Sequence, residues 1–458
     1  MSLEQEPADE EADPLDAFRQ FFALERDVLV LSAAMFAFSL GFQMTSRYMA
    51  EYMSALGASV VVIGLFGTVS NVVSAVYPYP GGAISDRIGS RYALTAFGLC
   101  STLGFGVWLA APALAGVSIG PVSLSIVAIF AGLLLAQGWK SFGLGATFAI
   151  VKQSVAPSHL AAGFASTETF RRTAFLVGPL VAAALFYPFG SSSGEVVTAF
   201  QVILLVAVVF GVLGTVAQHV LYRADEDDIG TAFEGVSQLL ADLRAMPDEL
   251  RPLLVGDTLV RFANGMVYVF FVIVVTRFRE VGLTVSLPAI GTVAFSPQSY
   301  FGLLLGLEML VALLTMVPVA KAAERVGLKP VVALGFAVYA LFPVLLISAP
   351  PDPAIFAVLF AFSGLRFAGL PAHKALIVGP AERGAGGRVT GAYYLLRNVI
   401  VIPSAAVGGL LWDGFANPLT GTQAFAGDPT LAFTAATAIG LLGTAYFLVF
   451  GEEFEAYR

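Results

Sequence analysis

The stretch Gly82-Ala83-Ile84-Ser85-Asp86-Arg87-Ile88-Gly89-Ser90-Arg91 is a short charged turn between two long apolar runs. A weaker copy, Ala320-Lys321-Ala322-Ala323-Glu324-Arg325-Val326-Gly327-Leu328-Lys329, also separates two apolar runs. In each copy an acid and an arginine are adjacent, a glycine follows two residues after the arginine, and a cation lies two residues beyond the glycine. The same polar turn in both halves of the chain indicates an internal duplication.

The composition is that of a membrane protein. Of 458 residues, 57% are hydrophobic and only 12% are charged, and the mean hydropathy is +0.83. Soluble domains carry about 25% charged residues, so a soluble multidomain protein is excluded. Runs of roughly 20 apolar residues are long enough to span a bilayer as helices. The chain has twelve such runs, near 28–52, 58–80, 91–114, 119–146, 160–187, 195–221, 253–276, 300–321, 329–349, 353–376, 386–412 and 430–450.

These runs predict an all-α membrane protein with twelve transmembrane helices in two pseudo-symmetric six-helix bundles. The predicted divisions are an acidic tail (1–27), the first bundle (28–221), a linker with an amphipathic helix (222–252), the second bundle (253–450) and a tail (451–458). Lysine and arginine are concentrated in the loops after runs 2, 4, 8 and 10. Both termini are therefore expected on the cytoplasmic side of the inner membrane of a prokaryote.

Further matches support the duplication. Gly138-Trp139-Lys140 in the first half corresponds to Gly364-Leu365-Arg366 in the second, and Gly178-Pro179 corresponds to Ile402-Pro403. These pairs lie at a nearly constant offset, while the charged turns are further apart because 281–298 resembles an insertion in a loop. A parallel repeat of two six-helix units is expected.

The charged turn resembles the signature of the major facilitator superfamily, G-x-L-x-D-R-x-G-R-R, in the loop between helices 2 and 3. Gly82, Asp86, Arg87, Gly89 and Arg91 match this signature, with isoleucine in place of leucine and a serine in place of one basic residue. The resemblance implies a secondary transporter whose two bundles rock about a midplane site. It also implies that this turn latches the cytoplasmic side in the outward-open state. The alternative is that the charges of the turn only set the orientation of the helices, by the positive-inside rule.

The second turn is a degenerate copy of the same latch. Its expected members are Glu324, Arg325, Gly327 and Lys329.

A second, partial resemblance concerns helix 5. The exporter signature G-x-x-x-G-P-x-x-G-G appears here with Gly178 and Pro179 kept and three glycines replaced by alanine. This match favours proton-coupled efflux of a small amphipathic or drug-like compound. The alternative is uptake of a small organic solute or anion, which rests on Lys140 and Arg366, and a non-transporting membrane sensor is a third possibility.

Ionisable residues within a span are costly, by about 2.5–3.5 kcal/mol each at a helix centre. Lys140 and Arg366 are candidates for binding an anionic substrate or a coupling carboxylate, or are snorkelling cations. Glu308 is the most isolated acid, so we expect it to be protonated or paired and to carry a coupling proton. Asp257 and Arg261 lie four residues apart on one helix face, as an internal pair or a coupling site.

Charged residues also flank two spans in corresponding positions. Glu168, Arg171 and Arg172 open run 5, and Arg397 occupies the comparable part of run 11. They are candidates for a cytoplasmic gate or for positive-inside anchoring.

Run 1 and run 7 are expected to line the cavity. Gln43, Asn264 and Tyr268 are therefore candidate substrate contacts. Arg47 and Glu51, four residues apart in run 1, form either an outer gate or a surface pair.

Other chemistry is not indicated. The lone Cys100 provides no disulfide, the three histidines lack ligand spacing, and no Walker loop or nucleophile–base set is present. No cofactor, metal site, enzyme activity or nucleic-acid partner is expected. The expected partners are the lipid bilayer, a small-molecule substrate and a coupling proton or sodium ion, and the protein is expected to be monomeric.

Overall fold

The structure is a computed structural model that describes residues 26–120, 122–142, 160–222, 246–288, 291–378, 386–416 and 423–453. The predicted acidic tail and most of the predicted linker, including its amphipathic helix, lie outside the described residues. Within the described parts the chain is a bundle of long helices joined by short loops.

The described residues of the first half form eight α-helices, labelled α1 to α8. Their bounds are Arg26–Thr45 (α1), Met49–Ala55 (α2), Val60–Val76 (α3), Pro78–Ile88 (α4), Ser90–Ala110 (α5), Leu124–Gln137 (α6), Leu160–Phe186 (α7) and Ser193–Leu221 (α8). A short hairpin of Ser118–Ile119 (β1) and Val122–Ser123 (β2) precedes α6. A single π-helical turn, Gly138–Phe142, follows α6.

The second half contains α9 to α16. Their bounds are Leu250–Val267 (α9), Pro297–Val326 (α10), Leu328–Ser348 (α11), Pro353–Gly364 (α12), Leu370–Val378 (α13), Gly386–Val401 (α14), Ser404–Asp413 (α15) and Pro429–Phe450 (α16). Irregular helical turns over 268–278 extend α9, and the 3₁₀ turn Leu365–Phe367 joins α12 to α13. Two hairpins lie in loops: Leu283–Leu287 (β3) with Gly291–Phe295 (β4), and Gly414–Ala416 (β5) with Gln423–Ala426 (β6).

The helices have the length and composition of membrane spans. Among the described residues, nine are long and apolar enough to cross a bilayer, or ten if the bent pair α1–α2 is one span. The two remaining apolar runs coincide with Val60–Val76, a shorter apolar helix, and with α7. Large apolar side chains are exposed on the outer faces, for example Val220 at 64% and Val358 at 68%, as expected where helices face lipid.

The duplicated charged turns have the same backbone. Gly89 separates α4 from α5 with φ +83°, and Gly327 separates α10 from α11 with φ +93°. Each glycine N–H donates to the carbonyl four residues earlier, Ser85 and Ala323 respectively, at 2.9 Å. Only glycine adopts this conformation without strain, so the repeated glycine forms a sharp corner between two helices in both halves. The hairpin β3–β4 lies in the segment that the sequence marks as an insertion.

Two helix pairs form the most extensive contacts between the described parts of the two halves. Helix α7 packs on α10, where a Cβ on Gly302 would lie 2.5 Å from the Pro179 carbonyl oxygen. Helix α3 packs on α15, where a Cβ on Gly64 would lie 2.6 Å from the Ala405 carbonyl oxygen. Glycines thus permit the backbones of the two halves to touch, which is the usual way that membrane helices associate.

Candidate functional site

A cavity of about 450 Å³ lies between the two halves. Helices from both halves contribute polar side chains to its wall, including Gln43 and Asn264, which the sequence singled out. The cavity also has a large aromatic surface. Its aromatic lining residues are Phe42, Phe66, Trp108, Phe175, Tyr268, Phe271, Phe301 and Phe360. A site of this size and make-up suits a small amphipathic molecule.

Two cations of the first half reach this cavity without an acidic partner among the described residues. Lys140 is exposed on the π-helical turn after α6, with Nζ 5.5 Å from the centroid of the Phe42 ring. Arg47 lies in the bend between α1 and α2, with its guanidinium 4.6 Å from the centroid of the Tyr268 ring. Aromatic faces attract cations but leave their hydrogen-bonding capacity unused.

Arg366 in the second half is held by a carboxylate instead. Its Nη2 lies 2.7 Å from Glu308 Oε1, and the two side chains are 2% and 3% exposed. The Ser363 hydroxyl donates to the same oxygen of Glu308 at 2.5 Å. The expectation that Glu308 is either protonated or paired is met by pairing.

The remaining guanidinium nitrogens of Arg366 are surrounded by aromatic rings. The Tyr339 and Phe367 centroids lie 5.1 and 4.7 Å from its central carbon, while Nε and Nη1 are buried without a hydrogen-bond partner. Helices α10 and α12 approach closely here, since a Cβ on Gly364 would lie 2.5 Å from the Glu308 carbonyl oxygen. Both members of the Glu308–Arg366 pair are therefore buried between helices of the second half.

A second carboxylate, Asp257, lies behind the cavity wall and is fully buried. Its Oδ1 accepts from Arg261 Nε at 3.1 Å, as the four-residue spacing predicts. Its Oδ2 accepts from Arg397 Nη1 and from the Tyr393 hydroxyl, both at 3.1 Å, and lies 3.3 Å from His373 Nε2. The group Asp257, Arg261, Arg397, Tyr393 and His373, here called the Asp257 cluster, joins α9, α13 and α14.

The Asp257 cluster is connected to the cavity through its arginines. Arg261 and Arg397 both line the cavity, with side chains 22% and 16% exposed. Arg261 also donates to the Tyr339 hydroxyl at 2.9 Å. Arg397, which the sequence groups with helix-5 charges as a gate, is thus one of the partners of Asp257.

Glu51 joins the two halves at the end of the bundle that holds β3 and β4. The side chain is 1% exposed, and its carboxylate accepts from Thr276 at 2.7 Å, Arg277 at 3.0 Å and Gln298 at 3.1 Å. These four residues are here called the Glu51 seam. The predicted surface pair of Glu51 with Arg47 is wrong, because the bend after Thr45 turns the two side chains to different partners.

The charged corners make different contacts in the two halves. Arg91 Nε donates to the His219 carbonyl at 2.8 Å, which ties α5 to the end of α8. The backbone N–H groups of Leu328 and Lys329 donate to the Glu453 carboxylate at 3.0 and 2.9 Å, which caps α11. Arg87 and Arg325 are exposed. The side chains of Asp86 and Glu324 lie outside the described residues, so the latch stays a prediction.

The helix-5 motif packs against both halves. A Cβ on Gly178 would lie 2.6 Å from Gln43 Cβ in α1, and the Pro179 carbonyl faces Gly302 of α10. The small residue and the proline therefore serve close packing. Arg171 and Arg172 are partly buried in the same helix, while the Glu168 side chain lies outside the described residues.

No protein-family model matches the chain. A segment of 212 residues is 28% identical to an uncharacterized MFS-type transporter of Mycobacterium tuberculosis, found in two strains. The match covers 45% of this chain and 45% of each relative, so the chain spans a little under half the length of these curated relatives.

Solved structures resemble the whole chain. The nucleoside transporter NupG superposes with a TM-score of 0.69, covering 93% of this chain and 99% of that one at 12% identity. A bacterial homologue of the iron transporter ferroportin, in an inward-facing state, gives 0.70, with 93% and 99% covered at 14% identity. A POT family transporter bound to a thioalcohol-conjugated peptide gives 0.67, with 94% and 98% covered at 14% identity.

The chain has the major facilitator fold. The resemblance of its charged turn to that superfamily is thereby confirmed, and so is the all-α membrane architecture of two bundles. At this level of identity the solved structures show the fold alone.

Within this fold, sequence reasoning missed three features of the site. Arg47 faces the cavity and not a surface partner, Glu51 reaches across to Arg277, and His373 lies beside Asp257. Arg47 and Glu51 could have been recognised from the sequence as functional candidates, since both are charged residues within an apolar run. The histidine carried none, because its partner lies over a hundred residues away in sequence. No group of three or more potential metal ligands occurs in the described part of the chain.

Proposed function

We propose that this protein is a membrane transporter that binds a small organic anion with an apolar body in the cavity between its two halves. The observation that carries the proposal is the charge of the cavity wall. Among the described residues, the cavity wall contains one carboxylate, that of Glu308, and five cationic side chains: Arg47, Lys140, Arg261, Arg366 and Arg397.

The two carboxylates of the region account for only part of this charge. Glu308 is engaged by Arg366, and buried Asp257 is shared by Arg261 and Arg397. No described carboxylate lies within ion-pair distance of Arg47 or Lys140, which face aromatic rings instead. Uncompensated charge in a low-dielectric site is unfavourable, so an anion that enters the cavity relieves it and is attracted from a distance.

The apolar part of the ligand is inferred from the aromatic wall. Phe42 and Tyr268 lie beside the cations and Phe271 lines the same cavity, so a ring or short hydrocarbon chain has a surface to pack on. Burial of apolar surface contributes about 25 cal/mol per Å². The proposed substrate is therefore amphipathic, as the exporter-like motif suggests. Its charge is negative, so the organic-anion alternative is favoured over a cationic drug.

Transport is proposed to follow the rocking of the two bundles about this cavity. The Glu51 seam closes one end in the described state, and the charged corners at Gly89 and Gly327 are proposed to act at the other end. Glu308 remains a candidate coupling residue for a proton, with sodium as the alternative ion, since releasing its carboxylate would free Arg366.

The test is a set of ligands of the same shape and different charge. Naphthalene sulfonate, naphthalene sulfonamide and naphthylmethylammonium would be compared by thermal unfolding of the protein in lipid nanodiscs. The proposal predicts that only the anion raises the unfolding temperature, since a ligand present at 100 times its Kd stabilises the folded state by about 2.7 kcal/mol. Equal stabilisation by the neutral and anionic ligands, or preference for the cation, contradicts it.

A further inference from the structure

The Asp257 cluster contains one side chain with no assigned role, His373. The residue is 4% exposed, and its Nε2 lies 3.3 Å from Asp257 Oδ2 without the geometry of a hydrogen bond. A buried histidine nitrogen without a partner, at ion-pair distance from a buried carboxylate, is placed to take up a proton and donate it to that carboxylate.

The geometry identifies what such a proton would displace. Asp257 Oδ2 already accepts from Arg397 Nη1 and from the Tyr393 hydroxyl, while Oδ1 accepts from Arg261 Nε. Protonated His373 would therefore compete with Arg397 for the same oxygen. Arg397 is partly exposed to the cavity and also bonds to Asn398, so it has room to turn its guanidinium towards a ligand.

The charge of the cluster changes in the same direction. With His373 neutral, two arginines share one carboxylate, and protonation adds one further positive charge beside the cavity wall. A more positive cluster with a released arginine favours binding of an anion. By reciprocity, a bound anion favours the protonated histidine to the same extent.

The other described groups that face His373 are not placed to bind the same proton beside Asp257. Helix α11 contributes the Phe336 ring, whose centroid lies 5.9 Å away, and α14 contributes Tyr393 and Arg397. Its own helix carries Lys374, which is exposed. Helix α10 carries Glu308, which is paired with Arg366, and the exposed Lys321 and Arg325.

We propose that His373 is a positioning residue that couples proton uptake to anion binding, through Asp257 and Arg397. This inference rests on the proposed function, since it assumes an anion in the cavity. The proton comes from water and is held on the imidazole, and no other bond is made or broken. Because proton and anion favour the same state, each should bind more tightly in the presence of the other.

The experiment measures the Kd of naphthalene sulfonate for the protein in nanodiscs from about pH 5.5 to about pH 8, where histidine ordinarily titrates. The sulfonate keeps its charge throughout, so a change in Kd reports on the protein. We expect the wild type to bind more tightly as the pH falls, by up to about tenfold per pH unit for one linked proton.

Variants separate His373 from other titrating groups. His373→Gln should give a flat profile, as should His373→Asn, while His219→Gln at the far end of α8 should keep the wild-type slope. Unfolding temperatures without ligand verify that each variant is folded.

The outcomes are distinct. Binding whose pH dependence disappears in the His373 variants supports the inference. Binding that is independent of pH in the wild type, or a slope that survives in a folded His373 variant, overturns the inference and leaves the proposed function intact. Absence of anion binding at every pH overturns both.

Discussion

The two halves of the molecule break their helices at corresponding residues and then use the cations at those breaks differently. Lys140 lies in the π-helical turn Gly138–Phe142 and Arg366 in the 3₁₀ turn Leu365–Phe367. Lys140 is exposed to the cavity without a described carboxylate partner, whereas Arg366 is buried against Glu308. Irregular turns of this kind often occur at functional sites because they re-aim side chains.

The same contrast extends to the neighbouring cations. Arg47 in the first half stacks on an aromatic ring, while Arg261 and Arg397 in the second half share Asp257. In the first half of the duplicated fold, the described cavity cations therefore lack an ion-pair partner. In the second half, the cavity cations form ion pairs with buried carboxylates. We infer that the first half attracts the anion and that the second half carries the groups whose protonation regulates it.

The largest expected effect is on stability, and it should occur in the second half only. Glu308→Ala leaves Arg366 buried without a counter-charge, so the free energy of unfolding should fall by about 3–5 kcal/mol. The measurement is unfolding in nanodiscs or mild detergent.

The matching change in the first half, Lys140→Met, should be neutral or stabilising. Replacing both partners in the double variant Glu308→Met/Arg366→Met should recover most of the loss. A large loss of stability in Lys140→Met would show that the halves are not different in this respect.

The next effect is on ligand binding, and it should occur mainly in the first half. Arg47→Gln or Lys140→Gln should weaken binding of naphthalene sulfonate by roughly 10- to 100-fold, the worth of a charged hydrogen bond. Arg251→Gln removes the same charge from a side chain that is 71% exposed, and it should bind normally. Equal weakening in the Arg251 variant would indicate a general effect of net charge.

A third prediction concerns the contact between the halves. Glu51→Gln weakens the seam to Arg277 and Thr276, so the end that holds Ala115 and Ala424 should open in a larger fraction of molecules. Spin labels at these two exposed positions, in a Cys100→Ser background, should give an added longer distance. Glu195→Gln, a helix-capping acid at the same end, should not. An unchanged distance distribution in Glu51→Gln would remove the seam from the account.

The smallest difference is expected at the charged corners, where both halves should lose stability. Gly89→Ala and Gly327→Ala each place a Cβ at a φ near +90°, which costs about 1–2 kcal/mol. At Gly327 the Cβ would also lie 2.5 Å from a Glu453 carboxylate oxygen, so this variant should lose more because the cap on α11 is disturbed. Thermal unfolding of the two variants provides the comparison. A cost confined to one corner would contradict the equivalence of the two turns.

The sequence predicts the fold well because the signals are local. Apolar runs of spanning length need no partner to be recognised, and the charged turn shows its glycine at the same place in both halves, where the structure has φ +83° and +93°. The pair Asp257–Arg261 was also predictable, since four residues place both side chains on one helix face.

The pairings across helices could not be predicted in the same way. Glu308 with Arg366, Glu51 with Arg277, and His373 with Asp257 each join distant segments, and their spacing in the chain carries no information. The bend after Thr45 decides that Arg47 faces the cavity and Glu51 the seam, and the run of apolar residues gives no sign of that bend.

Whether the first half binds the anion can be seen in a structure of the protein in lipid with a bromine-labelled naphthalene sulfonate. We expect the sulfonate group beside Arg47 and Lys140 in the first half, with the rings against the aromatic wall. Sulfonate density in contact with Arg366 or Arg397 alone, or no density in the cavity at saturating ligand, would contradict it.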